Sequence, residues 1–192
     1  MKPLRIALFG GTFDPVHLGH IAIAEAAVRE LELNRVIFIP CRQSPHKSDQ
    51  SEAGEEERLT MLDLATADLP WAAVSEIETF LPPPSYSWMT AECMQDVFPE
   101  ARLFWLIGED QWQVIETWSR PDHLAEMVEF IVHDRGGKPR PKPGFRAHFI
   151  SGHHPASGTV LRESAPQGLK SEWLHPAVAD FIRFNRLYGC GE

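Results

Sequence analysis

No stretch of this 192-residue sequence approaches the roughly 18–20 consecutive apolar residues of a membrane-spanning helix. The apolar run near its start is far shorter than a signal-peptide core, so a cytoplasmic location is expected. Cysteine is scarce. Cys41, Cys93 and Cys190 are the only three, widely spaced and without a Cys-x-x-Cys, which argues against a disulfide framework or a zinc ribbon and fits a reducing compartment. An excess of basic charge is missing too: 18 Lys and Arg against 27 Asp and Glu give a formal net charge of −9. Most of such a surface repels nucleic acid and anionic membrane, so neither is an expected partner. Two common phosphate loops are absent, since neither Gly-x-x-x-x-Gly-Lys-Ser/Thr nor Gly-x-Gly-x-x-Gly occurs. There is also no internal repeat and no linker to a second domain. One domain spanning 1–192 is the expectation, and oligomeric state is left open.

What is present is a globular composition, 43% hydrophobic and 23% charged, long enough to bury a substantial core. The basic groups that could serve an anionic ligand gather near turns: His17, His20, Arg42, His46, Lys47, Arg135 and Arg162. The most informative stretch runs from Arg5 to His20. Leu4 to Phe9 is a nearly unbroken apolar run, as in a parallel strand covered on both faces. Gly10 and Gly11 end it and let a ligand approach the main chain. Beyond Pro15, Ile21, Ala24, Val28 and Leu31 recur at helical spacing, which puts His17 and His20 on one side of a helix N-terminus, where anions bind. A phosphate site is the reading. Its alternatives are a capping histidine with a chance neighbour, or a metal pair, for which no nearby cysteine or histidine cluster supplies further ligands.

The same pattern continues. Arg35–Pro40 reads as a second buried strand, and a strand-helix-strand unit of this length implies a right-handed crossover and a parallel sheet with ligands beyond its carboxyl edge. The spacing predicts a helix over 55–68 that reads as scaffold, a weak strand at 72–75, a loop over 76–85, and a helix to Val97 with Ser85 as its N-cap. Further strands are predicted at 102–107, 127–133 and 146–150. Lys138–Pro143 reads as a polyproline-like loop whose charges are solvated or form a lid. His153 and His154 read as bland loop histidines, and 174–187 as an amphipathic C-terminal helix.

From Gly10 to His20 the chain matches Gly-Gly-x-Phe-Asp-Pro-x-His-x-Gly-His in full. This resembles the signature of the HxGH nucleotidyltransferases, and the later motifs resemble one branch, the bacterial nicotinate-mononucleotide adenylyltransferases. The resemblance implies a doubly wound Rossmann-like α/β domain with a mainly parallel sheet, its motif-bearing core over about 4–165. It implies that AMP moves from ATP to nicotinate mononucleotide, with Mg²⁺ carried on the ATP phosphates and no protein metal cage. For ATP it implicates Gly10, Thr12, Phe13, His17, His20, Gly108, Asp110, Arg135, Ser157, Thr159 and Arg162, with His17, His20 and Arg162 catalytic. For the pyridine nucleotide it implicates Gly10, Gly11, His46, Lys47, Tyr86, Ser87 and Trp118. The chain departs from the family pattern at Ser44, Ser87, Ser119, Gly136, Ala156 and Leu161, and Gly136 should add flexibility after Arg135. Alternatives are dual specificity toward nicotinamide and nicotinate mononucleotides, another transferase of the superfamily such as one acting on phosphopantetheine, or a nucleotide-binding regulator without turnover.

Overall fold

The computed structural model describes residues 3–43 and 51–191. Among the described residues, six parallel strands form one sheet in the order β3-β2-β1-β4-β5-β6. They are β1 (Arg5–Gly11), β2 (Arg35–Pro40), β3 (Ala72–Val74), β4 (Arg102–Gly108), β5 (Val128–Asp134) and β6 (Ala147–Ser151). The described residues also form the α-helices α1 (Leu18–Leu31), α2 (Glu55–Thr66), α3 (Ser87–Val97), α4 (Glu109–Gln113), α5 (Pro121–Met127), α6 (Gly158–Ser164) and α7 (Pro176–Phe184).

Alternation along the strands explains the winding. In β1, Ala7 and Phe9 join a cluster with Phe38, Phe104, Met61 from α2, Leu161 from α6 and Val178 from α7. Ile6 and Leu8 face the other way, into a cluster with Trp105, Phe130, Met94 from α3, Trp112 from α4 and Leu124 from α5. Successive strand residues point to opposite faces, so continuous apolar runs give two cores with the sheet between them. Chain order reverses between β1 and β4, and a parallel α/β sheet binds ligands outside the carboxyl edge at such a switch point.

Helix α5 was not expected from the sequence. Arg120 caps it in the left-handed region at φ 49°, and Pro121 supplies a preset φ at its first position. Ser85 does not cap α3. Tyr86 holds that position, while the Ser85 hydroxyl accepts the main-chain N–H of Arg42 and Gln43 at 3.1 and 3.2 Å. At the sheet edge opposite the cleft described below, Glu129 receives Arg102 through two hydrogen bonds of 2.8 and 2.7 Å and His148 at 2.7 Å, tying β4, β5 and β6.

Candidate active site

The carboxyl ends of β1, β4, β5 and β6 open onto a cleft of about 1020 Å³. Thr12, Phe13, Asp14, His17 and His20 reach it from the β1–α1 connection, and Asp110 from α4. His133 and Arg135 come from the end of β5, His153 and His154 from the segment after β6, and Ser157, Thr159 and Arg162 from the start of α6. Residues almost 150 positions apart thus share one wall.

The two motif histidines are held by the helix they begin. His17 is the N-cap of α1, in extended conformation, and its main-chain N–H donates to His20 Nδ1 at 3.2 Å. That acceptor role leaves the proton of a neutral His20 ring on Nε2. The rings stack at 3.7 Å between centroids and 22° between planes. Gly19 is required for the stack, because a β-carbon there would lie 2.9 Å from His17 Nδ1. Phe13 supports His20 edge-on at 5.0 Å and packs against Phe9 at 5.4 Å. Its ring is only 2% exposed, so the Phe13 side chain acts from the core side of the cleft.

Burial, with added repulsion from His154 and Arg135, lowers the His17 pKa to about 4. The imidazole is therefore neutral at ordinary pH, a hydrogen-bonding group rather than a cation. In the ligand-free chain this sets a stability trend. Between pH 4 and 6.5 the unfolded His17 binds a proton that the folded one refuses, so unfolding free energy rises with pH across that window. Chemical denaturation at pH 4.5 and 7 should show lower stability at the acid end. Replacing His17 by a non-titrating residue should flatten that slope.

Other loops are fixed by main-chain contacts. The Glu109 carboxylate, buried at the first turn of α4, accepts the N–H groups of Arg135 and Gly137, each at 3.2 Å. A β-carbon at Gly137 would fall 1.6 Å from Glu109 Oε1, so only glycine fits. Asp134 Oδ1 also accepts the Gly136 N–H at 2.6 Å. The flexibility expected at Gly136 is therefore countered: two carboxylates pin the turn, and Arg135 extends from a fixed base. Lys138–Pro143 is likewise tethered. The buried Trp112 indole donates to the Arg140 carbonyl at 2.9 Å, and Lys142 pairs with Glu116, so its charge is not simply solvated.

Gly10 and Gly11 end β1 as expected. A β-carbon at Gly10 would meet the Trp105 ring at 3.2 Å, and one at Gly11 the Phe13 ring at 3.0 Å. Gly108 ends β4, where a side chain would collide with Asp110 Oδ1 at 2.5 Å. The cleft lining includes none of these three glycines, and it also excludes Tyr86, Ser87 and Trp118. The last three lie on the α3 side of the sheet, where Trp88 and Trp118 pack on the second core cluster. Arg42 secures that region, its guanidinium donating to the carbonyls of Thr79 and Leu81 at 3.4 and 3.5 Å. His46 and Lys47 lie outside the described residues.

Sequence reasoning missed several groups. Arg58, read as part of a scaffold helix, is 2% exposed and donates to the carbonyls of Thr12 and Cys41, both at 2.9 Å. His133 and His154 line the cleft instead of standing apart. Asp14 carries no role in the sequence reading, yet its carboxylate accepts the N–H groups of Glu52 and Ala53 at 2.8 and 3.2 Å. No local periodicity marks any of them, because each contact spans distant sequence.

The cytidylyltransferase-like family model matches residues 8–164. A "Probable nicotinate-nucleotide adenylyltransferase" of Methylacidiphilum infernorum is 35% identical over 191 residues, covering 96% of this chain and 92% of that protein. The chain belongs to the nicotinate-nucleotide adenylyltransferase branch of this family. A relative of the same name from Symbiobacterium thermophilum is 36% identical and covers 98% of this chain and 97% of its own length. The fold agrees with that of Plasmodium falciparum nicotinic acid mononucleotide adenylyltransferase complexed with NaAD, at a TM-score of 0.79 and 16% identity, over 97% of this chain and 98% of that one. The family model runs from within β1 to the end of α6 and stops before α7. The adenylyltransferase relatives, by contrast, align over nearly the whole length.

Proposed function

We propose that the chain transfers the adenylyl group of ATP to nicotinate mononucleotide, giving nicotinate adenine dinucleotide and pyrophosphate in NAD biosynthesis. The observation that carries this reading is the convergence of His17, His20, Arg135, Ser157, Thr159 and Arg162 on one cleft, in a chain of this family. These groups donate hydrogen bonds or carry positive charge, which suits a triphosphate. The 5′-phosphate of the mononucleotide attacks the α-phosphorus in line, and the bond to the bridging oxygen breaks as pyrophosphate departs. No protein nucleophile is required, because catalysis comes from positioning two anions and stabilising charge on the α-phosphate. Neutral His17 and its stacked neighbour His20 donate to α-phosphate oxygens. Arg162, Ser157 and Thr159 hold the β- and γ-phosphates, and Asp110 accepts from ribose hydroxyls.

Mg²⁺, when bound with ATP, neutralises phosphate charge. Among the described residues no cluster of His, Cys, Asp and Glu is arranged to hold a metal, and both Asp14 carboxylate oxygens accept protein donors. This donor set fits an ion carried on triphosphate oxygens.

On the pyridine side, Trp118 stacks on the ring while Ser87 and nearby main-chain N–H groups receive its carboxylate. Trp118→Ala should raise KM for nicotinate mononucleotide by roughly ten-fold, about the worth of an aromatic pair plus lost contact area, with little change in ATP KM. Unchanged KM would return Trp118 to the core. The direct test is pyrophosphate release from ATP and Mg²⁺ with nicotinate or nicotinamide mononucleotide supplied separately. Strong preference for the acid supports the reading. Equal use makes the chain dual-specific, and no release with either overturns it.

A further inference from the structure

Catalysis by the cleft residues leaves one arrangement unexplained: the last turn of the chain comes back to the first motif. After α7 the backbone enters the left-handed region at Arg186 and again at Tyr188, with φ of 53° and 58°, a conformation that costs a non-glycine residue on the order of 1 kcal/mol. That turn delivers Tyr188, 8% exposed, to Asp14, where its hydroxyl donates to Oδ1 at 2.7 Å. Burial and the neighbouring Asp14 carboxylate both raise the Tyr188 pKa, so it remains a donor.

Asp14 is the junction of a closed ring of contacts. Its carboxylate accepts from Tyr188 and from the N–H groups of Glu52 and Ala53. Its main-chain carbonyl accepts Arg162 Nη1 at 2.6 Å, and Arg162 Nε donates to Glu52 Oε1 at 3.1 Å. The start of α6 is fitted to this ring, since a β-carbon at Gly158 would lie 3.4 Å from both Arg162 Nη1 and the Asp14 carbonyl. The links share Asp14, those from Tyr188 and Ala53 being buried and the Arg162–Glu52 pair exposed at the cleft. A loss at one point is therefore felt at the others.

We infer that Tyr188 is a positioning residue for the triphosphate site: through Asp14 it fixes the direction of the Arg162 guanidinium and the path of residues 51–53 along the cleft. The C-terminal segment, outside the family-model match, thereby takes part in ATP binding. This inference rests on the reading of the cleft as an ATP site.

The experiment uses the full chain and compares wild type, Tyr188→Phe, Arg162→Ala and the double variant. Calorimetry gives ATP-Mg²⁺ affinity and steady-state pyrophosphate release gives both KM values. Tyr188→Phe should weaken ATP by about five- to ten-fold, the scale of one ordinary hydrogen bond. KM for nicotinate mononucleotide should stay within about two-fold, and the ATP effect should nearly vanish in the Arg162→Ala background, the signature of coupling. A purely structural role would lower the melting temperature and leave ATP affinity unchanged, overturning the inference. Equal weakening of both substrates, or an undiminished effect without Arg162, would overturn it too. If Tyr188→Phe does not fold, Asp14→Asn probes the same junction from its other side, since the amide keeps one acceptor for Tyr188 and loses the acceptor of the Glu52 N–H; the same selective weakening of ATP is expected and its absence is equally fatal. A wild-type chain that binds ATP but releases no pyrophosphate sinks the reaction reading alone, whereas one that binds no ATP overturns both.

Discussion

His17→Ala is expected to lower kcat by about 100- to 1000-fold while changing ATP affinity by less than about three-fold, the pattern of a donor that acts on charge developing in the transition state. The reason lies in how the ring is held. It is 9% exposed, stacked on His20, and deprived of its charge by burial. A neutral donor gains little from a ground-state phosphate already solvated by its counterion. It gains much more as negative charge accumulates on the α-phosphate oxygens in a site of low dielectric. Pre-stacking also means that no reorganisation is needed at the moment of transfer. The measurement is steady-state turnover together with an independent ATP affinity. A raised ATP KM at unchanged kcat would make His17 an ordinary ground-state contact and remove it from the catalytic set.

That pattern was legible in the sequence because it is local. Gly10 to His20 is a continuous run, and the strand before it and the helix after it announce themselves by apolar run and helical spacing. The parallel sheet followed from the same units, since Arg35–Pro40 and the strand predicted over 102–107 are apolar on both faces. Boundaries moved only slightly, as where β1 extends to Gly11 and α7 ends at Phe184. One helix start is misplaced by the sequence and another leaves no signal in it. Ser85 has the chemistry of an N-cap, but the departing β2 loop competes for its hydroxyl and Tyr86 takes the position. Pro121 begins α5, which at seven residues is too short to display a helical period.

The rest was illegible for a different reason. Tyr188 and Asp14 are 174 residues apart, and Arg162 reaches the Asp14 carbonyl across 148. Glu109 meets Arg135 and Gly137 only because β4 and β5 are neighbours in register. Side chains that hydrogen-bond to main chain leave no compositional mark. Their partners are carbonyls and N–H groups that every residue possesses. Such contacts decide how rigidly a site is held, which is why the motif residues could be named before the fold and their supports could not.

Arg58 is the support whose loss should cost most. Arg58→Met is expected to destabilise the fold by about 2–4 kcal/mol, lowering the melting temperature by roughly 5–15 °C for a chain of this size. Two opposing effects set the figure. Burying a guanidinium, which cannot shed its proton, carries a desolvation cost that methionine removes. Against this, Nη1 donates to the carbonyls of both Thr12 and Cys41, each at 2.9 Å, and no apolar side chain replaces a donor shared by two loops. The second effect should win because these carbonyls belong to the ends of neighbouring strands β1 and β2, whose separation Arg58 thereby fixes. Arg58→Lys, which keeps the charge but loses the planar fork, should fall between wild type and Arg58→Met. The check is calorimetric melting of all three, with His17-dependent turnover measured well below the transition. If Arg58→Met melts with wild type, the carbonyls are rehydrated or re-paired at no cost, and Arg58 does not hold the ends of β1 and β2 together.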